Sequence, residues 1–406
     1  MDTEDRKLRI HSVDLLRGIV MMIMLLDHVR EYVHARALQN DPTDPATTTV
    51  TLFFTRWITH FCAPAFVLLS GVSIYLQKRN GKGTGELSRF LWTRGLWLIF
   101  LEFTVVRFLV VFNLDYSFFG MAQVIWVIGV SMILMAAMIH LPAKVIGLAG
   151  LAMIVLHDLF DGVRVPPQIA FAGTPPPDLL QSLWIVLHQP GVVPLFGGHT
   201  QIFFAYPLIP WIGVMMAGYA LGTIYDLQAE KRKRRFLYGG AAAIALFILL
   251  RLLNVNGDPS RWSEQATQLS TFLSILNTTK YPPSLLFLLM TLGPALVVLA
   301  LADGIDGKAL WQRICITFGR VPMFFYILQW IVAHGAGVLL GFLAGVDVNY
   351  LFLDLFQMGR AAPPIHGFSL MTVYIVWITG LAAVYPLCAW YGGVKMRNKH
   401  WLLSYL

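Results

Sequence analysis

The sequence predicts an all-α integral membrane protein with about ten transmembrane helices and both termini in the cytoplasm. Two observations of composition predict this class, since 57% of the 406 residues are hydrophobic and only 13% are charged. Soluble domains average about 45–50% apolar and about 25% charged residues. The third observation is that apolar segments occupy nearly the whole chain. Soluble enzymes, disordered chains, coiled coils, disulfide scaffolds and nucleic-acid binders are therefore excluded.

A transmembrane helix needs about 20 mainly apolar residues, and ten segments fit this requirement. They cover residues 13–34, 53–77, 90–112, 120–140, 142–157, 202–225, 236–253, 282–302, 314–344 and 368–393. The fifth is short, and the ninth is interrupted by glycines, so we expect it to tilt or break at Gly335, Gly337, Gly341 and Gly345. The first segment is too long and carries too many charged residues to be a cleavable signal peptide. Residues 1–406 are treated as one transmembrane domain.

The distribution of basic residues supports this topology. With both termini inside, the inner segments hold 19 of the 30 Lys and Arg residues, and the outer segments hold five. Cytoplasmic loops carry such an excess in membrane proteins. The net charge of +8 therefore reflects orientation and needs no polyanionic partner. The long loops are predicted outside, at residues 35–52, 158–201, 254–281 and 346–367.

The three cysteines predict neither disulfides nor a metal site. Cys62, Cys315 and Cys388 each lie inside an apolar segment, without the spacing of metal ligands. We expect them to be small core residues.

Ionisable residues inside a membrane are costly and are functional candidates by default. In the first segment, Asp14, Arg17 and His28 recur at helical spacing and share one face. Arg17 and His28 are separated by about 16 Å along the helix axis. His28 is the candidate catalytic base, and Asp27 is a candidate to orient its ring. The alternative is a structural Asp14–Arg17 pair with a hydrogen-bonded His28.

The second segment carries Arg56 and His60 four residues apart. His60 and His28 are predicted at a similar depth, about 10 Å below the outer surface. Two imidazoles and Asp27 at one depth suggest an acid–base site, because a neutral imidazole accepts a proton near neutral pH. A coincidence of depth is the alternative.

Further polar residues in the apolar segments are candidates for contacting the substrate. Glu102 and Arg107 in the third segment either meet substrate or form a structural bridge. Two prolines in the sixth segment leave backbone carbonyl groups without their helical hydrogen bonds. Nearby polar residues then either line a water-filled cavity or lie beside a simple kink in a packed helix. The remaining substrate candidates are Arg56, His60, Tyr206, Trp211, Arg320, Tyr326 and Gln329. Among outer aromatic residues, Trp184, Trp262 and Tyr281 either stack on a sugar or anchor the interface.

Arg17, followed by ten residues and then His28, is the R-X10-H pattern of membrane-bound acyltransferases. Six ordered segments make the resemblance more specific: SVDLLRGIVMMIMLLDHVR, FFTRWITHFCAPAFVLLSG, YPLIPWIGVMMAGYALG, KYPPSLLFLLMTLGPAL, FGRVPMFFYILQW and VYPLCAWYGGVK. Together they resemble bacterial relatives of heparan-α-glucosaminide N-acetyltransferase over nearly the whole chain.

The resemblance implies an enzyme that moves an acetyl group from cytoplasmic acetyl-CoA to a glucosamine-like sugar reached from the outer side. Arg17 and His28 match the arginine and catalytic histidine of the motif. The CoA phosphates would lie near Arg17, Arg94 or the basic run 231–235, which is equally an orientation signal beside anionic lipid. Direct transfer and an acetyl-histidine intermediate both stay open.

Two other functions compete with the acyltransferase. A proton-coupled transporter or flippase of a sugar or lipid intermediate would also need intramembrane Arg, Glu and His. A catalytically silent assembly factor explains these charges poorly. The predicted location is a bacterial inner membrane. The predicted partners are the lipid bilayer and a sugar or glycan acceptor. The sequence does not decide whether the protein forms a homodimer.

Overall fold

The computed structural model describes residues 10–35, 37, 40–45, 47–166, 176–255, 257–363, 367–398, 400, 403 and 405. Parts of the predicted outer loops and the basic residues Arg6, Lys7, Arg9, Arg36 and Lys399 lie outside the described residues. The helices are α1 (His11–Val33), α2 (Val50–Thr59), α3 (Cys62–Arg79), α4 (Thr84–Leu101), α5 (Arg107–Val111), α6 (Val124–Met138), α7 (Ala143–Leu156), α8 (Leu179–Leu187), α9 (Leu208–Leu221), α10 (Ala229–Leu253), α11 (Gln268–Leu276), α12 (Leu285–Leu301), α13 (Leu310–Arg320), α14 (Pro322–Leu343), α15 (Leu355–Ala361) and α16 (Leu370–Arg397).

Six helical segments are long and apolar enough to cross a membrane: Val50–Arg79, Ala143–Phe160, Leu208–Asp226, Ala229–Leu253, Pro322–Leu343 and Leu370–Arg397. Two shorter apolar helices are Val124–Met138 and Leu285–Leu301. The chain is thus a mostly helical membrane protein. The number of ten spans and the cytoplasmic location of both termini stay predictions.

The all-α prediction missed a small sheet. The strands β1 (Phe118–Ala122), β2 (Gly191–Leu195) and β3 (Thr200–Phe204) pair in the order β1-β3-β2, with β1 parallel and β2 antiparallel to β3. The strands β1 and β3 occupy the starts of the fourth and sixth predicted spans. The apolar residues there were counted as membrane helix, although alternating burial along β1 and β3 is typical of strands.

Two predicted spans contain a break. A turn at His60 and Phe61 separates α2 from α3. The ninth span breaks at Val321 (φ −127°, ψ 50°), where Pro322 begins α14, because a proline fits the first turn of a helix but not its interior. The prediction of a break at the glycines was wrong, because α14 continues through Gly335, Gly337 and Gly341 to Leu343.

The first helix, α1, lies at the centre of the fold. It packs against α2, α3, α13, α14 and α16, and most of its side chains are buried. Closely approaching glycines bring several helix pairs together, as is common in membranes. The pairs are Gly18 and Gly319 between α1 and α13, Gly71 and Gly218 between α3 and α9, Gly95 and Gly129 between α4 and α6, Gly150 and Gly213 between α7 and α9, and Gly240 and Gly293 between α10 and α12.

We expect Gly18→Ala to lower the stability of the protein by about 1–3 kcal/mol, the usual cost of overpacking. A Cβ on Gly18 would lie 1.8 Å from the carbonyl oxygen of Cys315, so α1 and α13 would have to separate. Thermal unfolding in detergent measures the effect. Gly335→Ala is the matched control, because a Cβ there meets no described atom within 4 Å and alanine favours a helix. Equal unfolding midpoints for the two variants would contradict this packing.

Candidate active site

His28 lies near the end of α1, where it contacts an aromatic ring and a carboxylate. Its ring packs against Trp330 of α14, with 3.8 Å between the ring centroids and 39° between the ring planes. Its Nδ1 lies 3.2 Å from a carboxylate oxygen of Glu31, one helical turn further along α1. No described residue hydrogen-bonds Nε2, so this nitrogen is available for proton transfer.

Asp27, a candidate to orient the His28 ring, pairs with two arginines in the structure. Its carboxylate accepts hydrogen bonds from Arg56 on α2 and from Arg30, the latter at 3.1 Å. The residue is 8% exposed. The two arginines hold Asp27 away from the imidazole, and Glu31 takes the predicted position beside Nδ1. The three-residue spacing from His28 to Glu31 was the sequence signal that could have identified it.

His60 lies in the turn between α2 and α3, and its ring packs against Phe287 at 5.5 Å between centroids. No described contact joins the two imidazoles. His60 interacts electrostatically with Arg56, Asp27 and Lys280. The described contacts therefore connect the two histidines through the ionic cluster around Asp27 and not directly, and an acid–base site that uses both stays a prediction.

Lys280 and Tyr281 join this cluster from the segment between α11 and α12. The Tyr281 ring lies 5.4 Å from that of Tyr206, and Tyr206 packs against Trp211 at 5.2 Å. Burial alone would raise the pKa of the Tyr281 phenol, but the nearby Lys280 and Arg56 outweigh burial and lower it. Lys280 was not among the predicted site residues, because only the fold brings it to α1 and α2.

A cleft runs along the other half of α1. Its volume is about 100 Å³, it is partly open to solvent, and most of its lining is apolar. Arg17, Met21 and Met24 of α1 line it, opposite Arg94 of α4 and Tyr326 of α14. The two predicted cofactor-binding arginines thus share one cleft with a predicted substrate residue.

Arg17 also holds three helices together. Its guanidinium donates to Asp14 at 3.0 Å, to the carbonyl of Gly319 at 3.0 Å and to Ser73 at 2.9 Å. The Asp14–Arg17 pair of the structural alternative is therefore present. Arg320 lies at the same end of α1, with its Nε 4.0 Å from Asp14, and lines a separate cavity with His11 and Arg313. This arrangement places Arg320 apart from His28.

Glu102 and Arg107 do not pair with each other and contact mainly backbone. Glu102 begins a π-helical turn, Glu102–Val106, and accepts the N–H of Trp126 at 2.9 Å near the start of α6. Arg107 donates to the carbonyls of Asn113 and Asp115. These contacts are typical of structural residues, and substrate contact by either remains a prediction.

The other predicted residues have varied surroundings. Gln329 is fully buried beside Trp330, and Trp184 packs against Phe160 and His188. In the basic run 231–235, Arg232 pairs with Asp303 at 2.9 Å.

All three cysteines are buried, as predicted. Within the described part of the chain, no three His, Cys, Asp or Glu residues cluster as metal ligands.

Comparison with known families gives one match. A family model described as heparan-alpha-glucosaminide N-acetyltransferase, catalytic, matches residues 9–253. The chain belongs to this family. It is therefore a membrane protein of an acyltransferase family. A search of curated proteins finds no match.

The matched region ends with α10. It contains α1, with Arg17, His28 and Glu31, and the ionic partner Arg56. The segment with Lys280 and the helix with Tyr326 and Trp330 follow it in the chain. The site around His28 therefore combines the family's matched region with later helices.

Proposed function

We propose that the protein transfers an acetyl group from cytoplasmic acetyl-CoA to an amine or hydroxyl of a glucosamine-like sugar on the outer side of a bacterial inner membrane. The observation that carries this proposal is the His28–Glu31 pair, one helical turn beyond a cleft that contains Arg17 and Arg94. The acyltransferase family supports the reaction class. The acetyl donor, the glucosamine-like acceptor and the bacterial inner membrane follow from the sequence resemblance.

The lining of the cleft suits the donor, because two arginines lie at one end of otherwise mainly apolar walls. The long pantetheine arm of CoA is compatible with the apolar walls, which include Met21 and Met24. Arg17 and Arg94 lie at the end of the cleft that the predicted topology places toward the cytoplasm, where CoA phosphates would be. A thioester extending along α1 from there would approach His28.

The acceptor would approach from the opposite side. A cavity of about 200 Å³ is lined by Arg30 and His34 at the end of α1 and by polar residues that precede α2, including Asn40, Asp41 and Thr47. Hydroxyl and amide groups of this kind suit a sugar. Arg30 connects the cavity to Asp27, so the acceptor would bind beside the ionic cluster.

In this mechanism His28 is the general base. Its Nε2 accepts a proton from the acceptor amine while the nitrogen attacks the thioester carbonyl carbon. The C–S bond then breaks, and the thiolate of CoA takes the proton back from the imidazolium. Glu31 orients the ring through Nδ1 and stabilises the imidazolium, as the carboxylate does in hydrolase triads.

Glu31→Gln should lower kcat substantially and leave acetyl-CoA binding unchanged. The amide keeps the size of the side chain but removes the charge that stabilises protonated His28. Steady-state kinetics and calorimetric binding of acetyl-CoA measure the two effects. Glu86→Gln, an acidic residue in the first turn of α4, is the control and should leave both values unchanged. An unaltered kcat for Glu31→Gln would remove Glu31 from the mechanism.

The proposed function is tested with purified protein in detergent, acetyl-CoA and glucosamine. We expect CoA release that depends on the amine, with N-acetylglucosamine as the product. Binding of acetyl-CoA without turnover would overturn glucosamine as the acceptor and keep the donor. No binding by folded protein would overturn the acetyltransferase, and a transporter would then explain the buried charges.

A further inference from the structure

One face of α14 carries buried polar groups with few hydrogen-bond partners among the described residues. Apart from a contact between the Tyr326 hydroxyl and the Trp330 indole, the polar atoms of Tyr326, Gln329 and Trp330 find no hydrogen-bond partner there. None of the three residues is more than 4% exposed. Unpaired polar groups are costly inside a membrane. This face is therefore suited to a polar ligand that supplies the missing partners.

Two of these groups lie between the donor cleft and His28. Tyr326 lines the cleft together with Met24, which precedes His28 by one helical turn on α1. The Trp330 ring meets that of Tyr326 edge-on, with 6.2 Å between centroids. The same indole packs against His28, with 3.8 Å between the ring centroids. Tyr326 thus lines the cleft, and Trp330 lies between Tyr326 and the proposed base.

We propose that the Tyr326 hydroxyl and the Trp330 indole N–H form the oxyanion site, donating hydrogen bonds to the carbonyl oxygen of the acyl thioester. This inference rests on the proposed acetyl transfer. An indole N–H can only donate, and a tyrosine hydroxyl can donate, so the pair suits an oxygen that gains negative charge. Such donors, fixed before the reaction, stabilise tetrahedral intermediates.

The electron movements balance at this site. When the acceptor nitrogen attacks, the π electrons of the carbonyl move to its oxygen, which the two donors bind as an oxyanion. When the carbonyl bond re-forms, the C–S bond breaks, and sulfur leaves with the electron pair. The proton held by His28 then goes to sulfur. Tyr326 and Trp330 keep their own protons throughout.

Infrared spectra of bound acetyl-CoA, labelled with ¹³C at the thioester carbonyl, test the proposal. In the wild-type protein the carbonyl stretch should shift to lower frequency on binding, because hydrogen bonds weaken the C=O bond. Tyr326→Phe and Trp330→Phe should each reverse part of the shift. Each should also lower kcat by about 10²–10³-fold, as loss of an oxyanion donor does elsewhere, with little change in acetyl-CoA affinity.

Tyr391→Phe is the matched control, because the Tyr391 hydroxyl on α16 is also buried without a described partner. It should leave the frequency and kcat unchanged. Bound acetyl-CoA without a frequency shift would overturn the oxyanion site and leave the proposed function intact. A loss of stability in Tyr326→Phe with the shift preserved would assign its hydroxyl to the nearby Glu102 instead. Failure of wild-type protein to bind acetyl-CoA would overturn both proposals.

Discussion

His28→Gln is expected to abolish acetyl transfer while the protein stays folded and binds acetyl-CoA. General base catalysis typically contributes about 10²–10⁴-fold to a rate, and glutamine keeps polar atoms at the ring position without accepting the proton. The side chain is 14% exposed and packs against Trp330 at the edge of the core, so stability should change little. CoA release under saturating acetyl-CoA and acceptor measures the loss.

A buried histidine elsewhere provides the control. His157 lies after α7 and has its Nε2 3.2 Å from Asp158. His157→Gln should reduce stability without lowering the turnover of the folded protein. If His28→Gln retained wild-type turnover, His28 would not be the base.

Asp27→Ala is expected to be the most destabilising single change in the site. Asp27 is the carboxylate that pairs with both Arg30 and Arg56. Its removal leaves two buried guanidinium groups without this counter-ion, and breaking a buried pair in this way costs about 3–5 kcal/mol. Thermal unfolding in detergent measures the loss.

A double variant separates lost charge from lost packing. Arg56→Met in the Asp27→Ala background removes one of the unpaired cations, so it should recover part of the stability. Asp306→Asn is the control for an exposed ion pair, since Asp306 and Lys308 are both largely exposed; it should change the midpoint little. An Asp27→Ala midpoint equal to that of wild type would show that the cluster does not stabilise the fold.

The sequence predicted those features that depend on one segment at a time. Apolar length and basic loops indicated a polytopic membrane protein, and helical spacing placed Arg17 and His28 along one helix. The ninth span is interrupted at Pro322 instead of at its glycines, because proline fits only the first turn of a helix. Strands β1 and β3 were missed because short apolar strands and membrane helices have similar composition, and β2 lies in a predicted outer loop.

Partners in the site depend on contacts that a single segment does not reveal. Asp27 was adjacent to His28 in sequence, but adjacent residues on a helix point in different directions. Glu31 was at the right spacing and was overlooked. Trp330 and Lys280 come to α1 from far along the chain, and only packing of α14 and of the segment before α12 brings them there.

Transfer across a sealed membrane is the most direct test of the central claim. The protein is reconstituted in vesicles that enclose acetyl-labelled acetyl-CoA, with glucosamine outside; only molecules whose donor side faces inward can use the donor. We predict labelled N-acetylglucosamine outside the vesicles, and none with His28→Gln. Glucosamine that accumulated inside vesicles lacking acetyl-CoA, without acetylation, would contradict the account and identify a transporter.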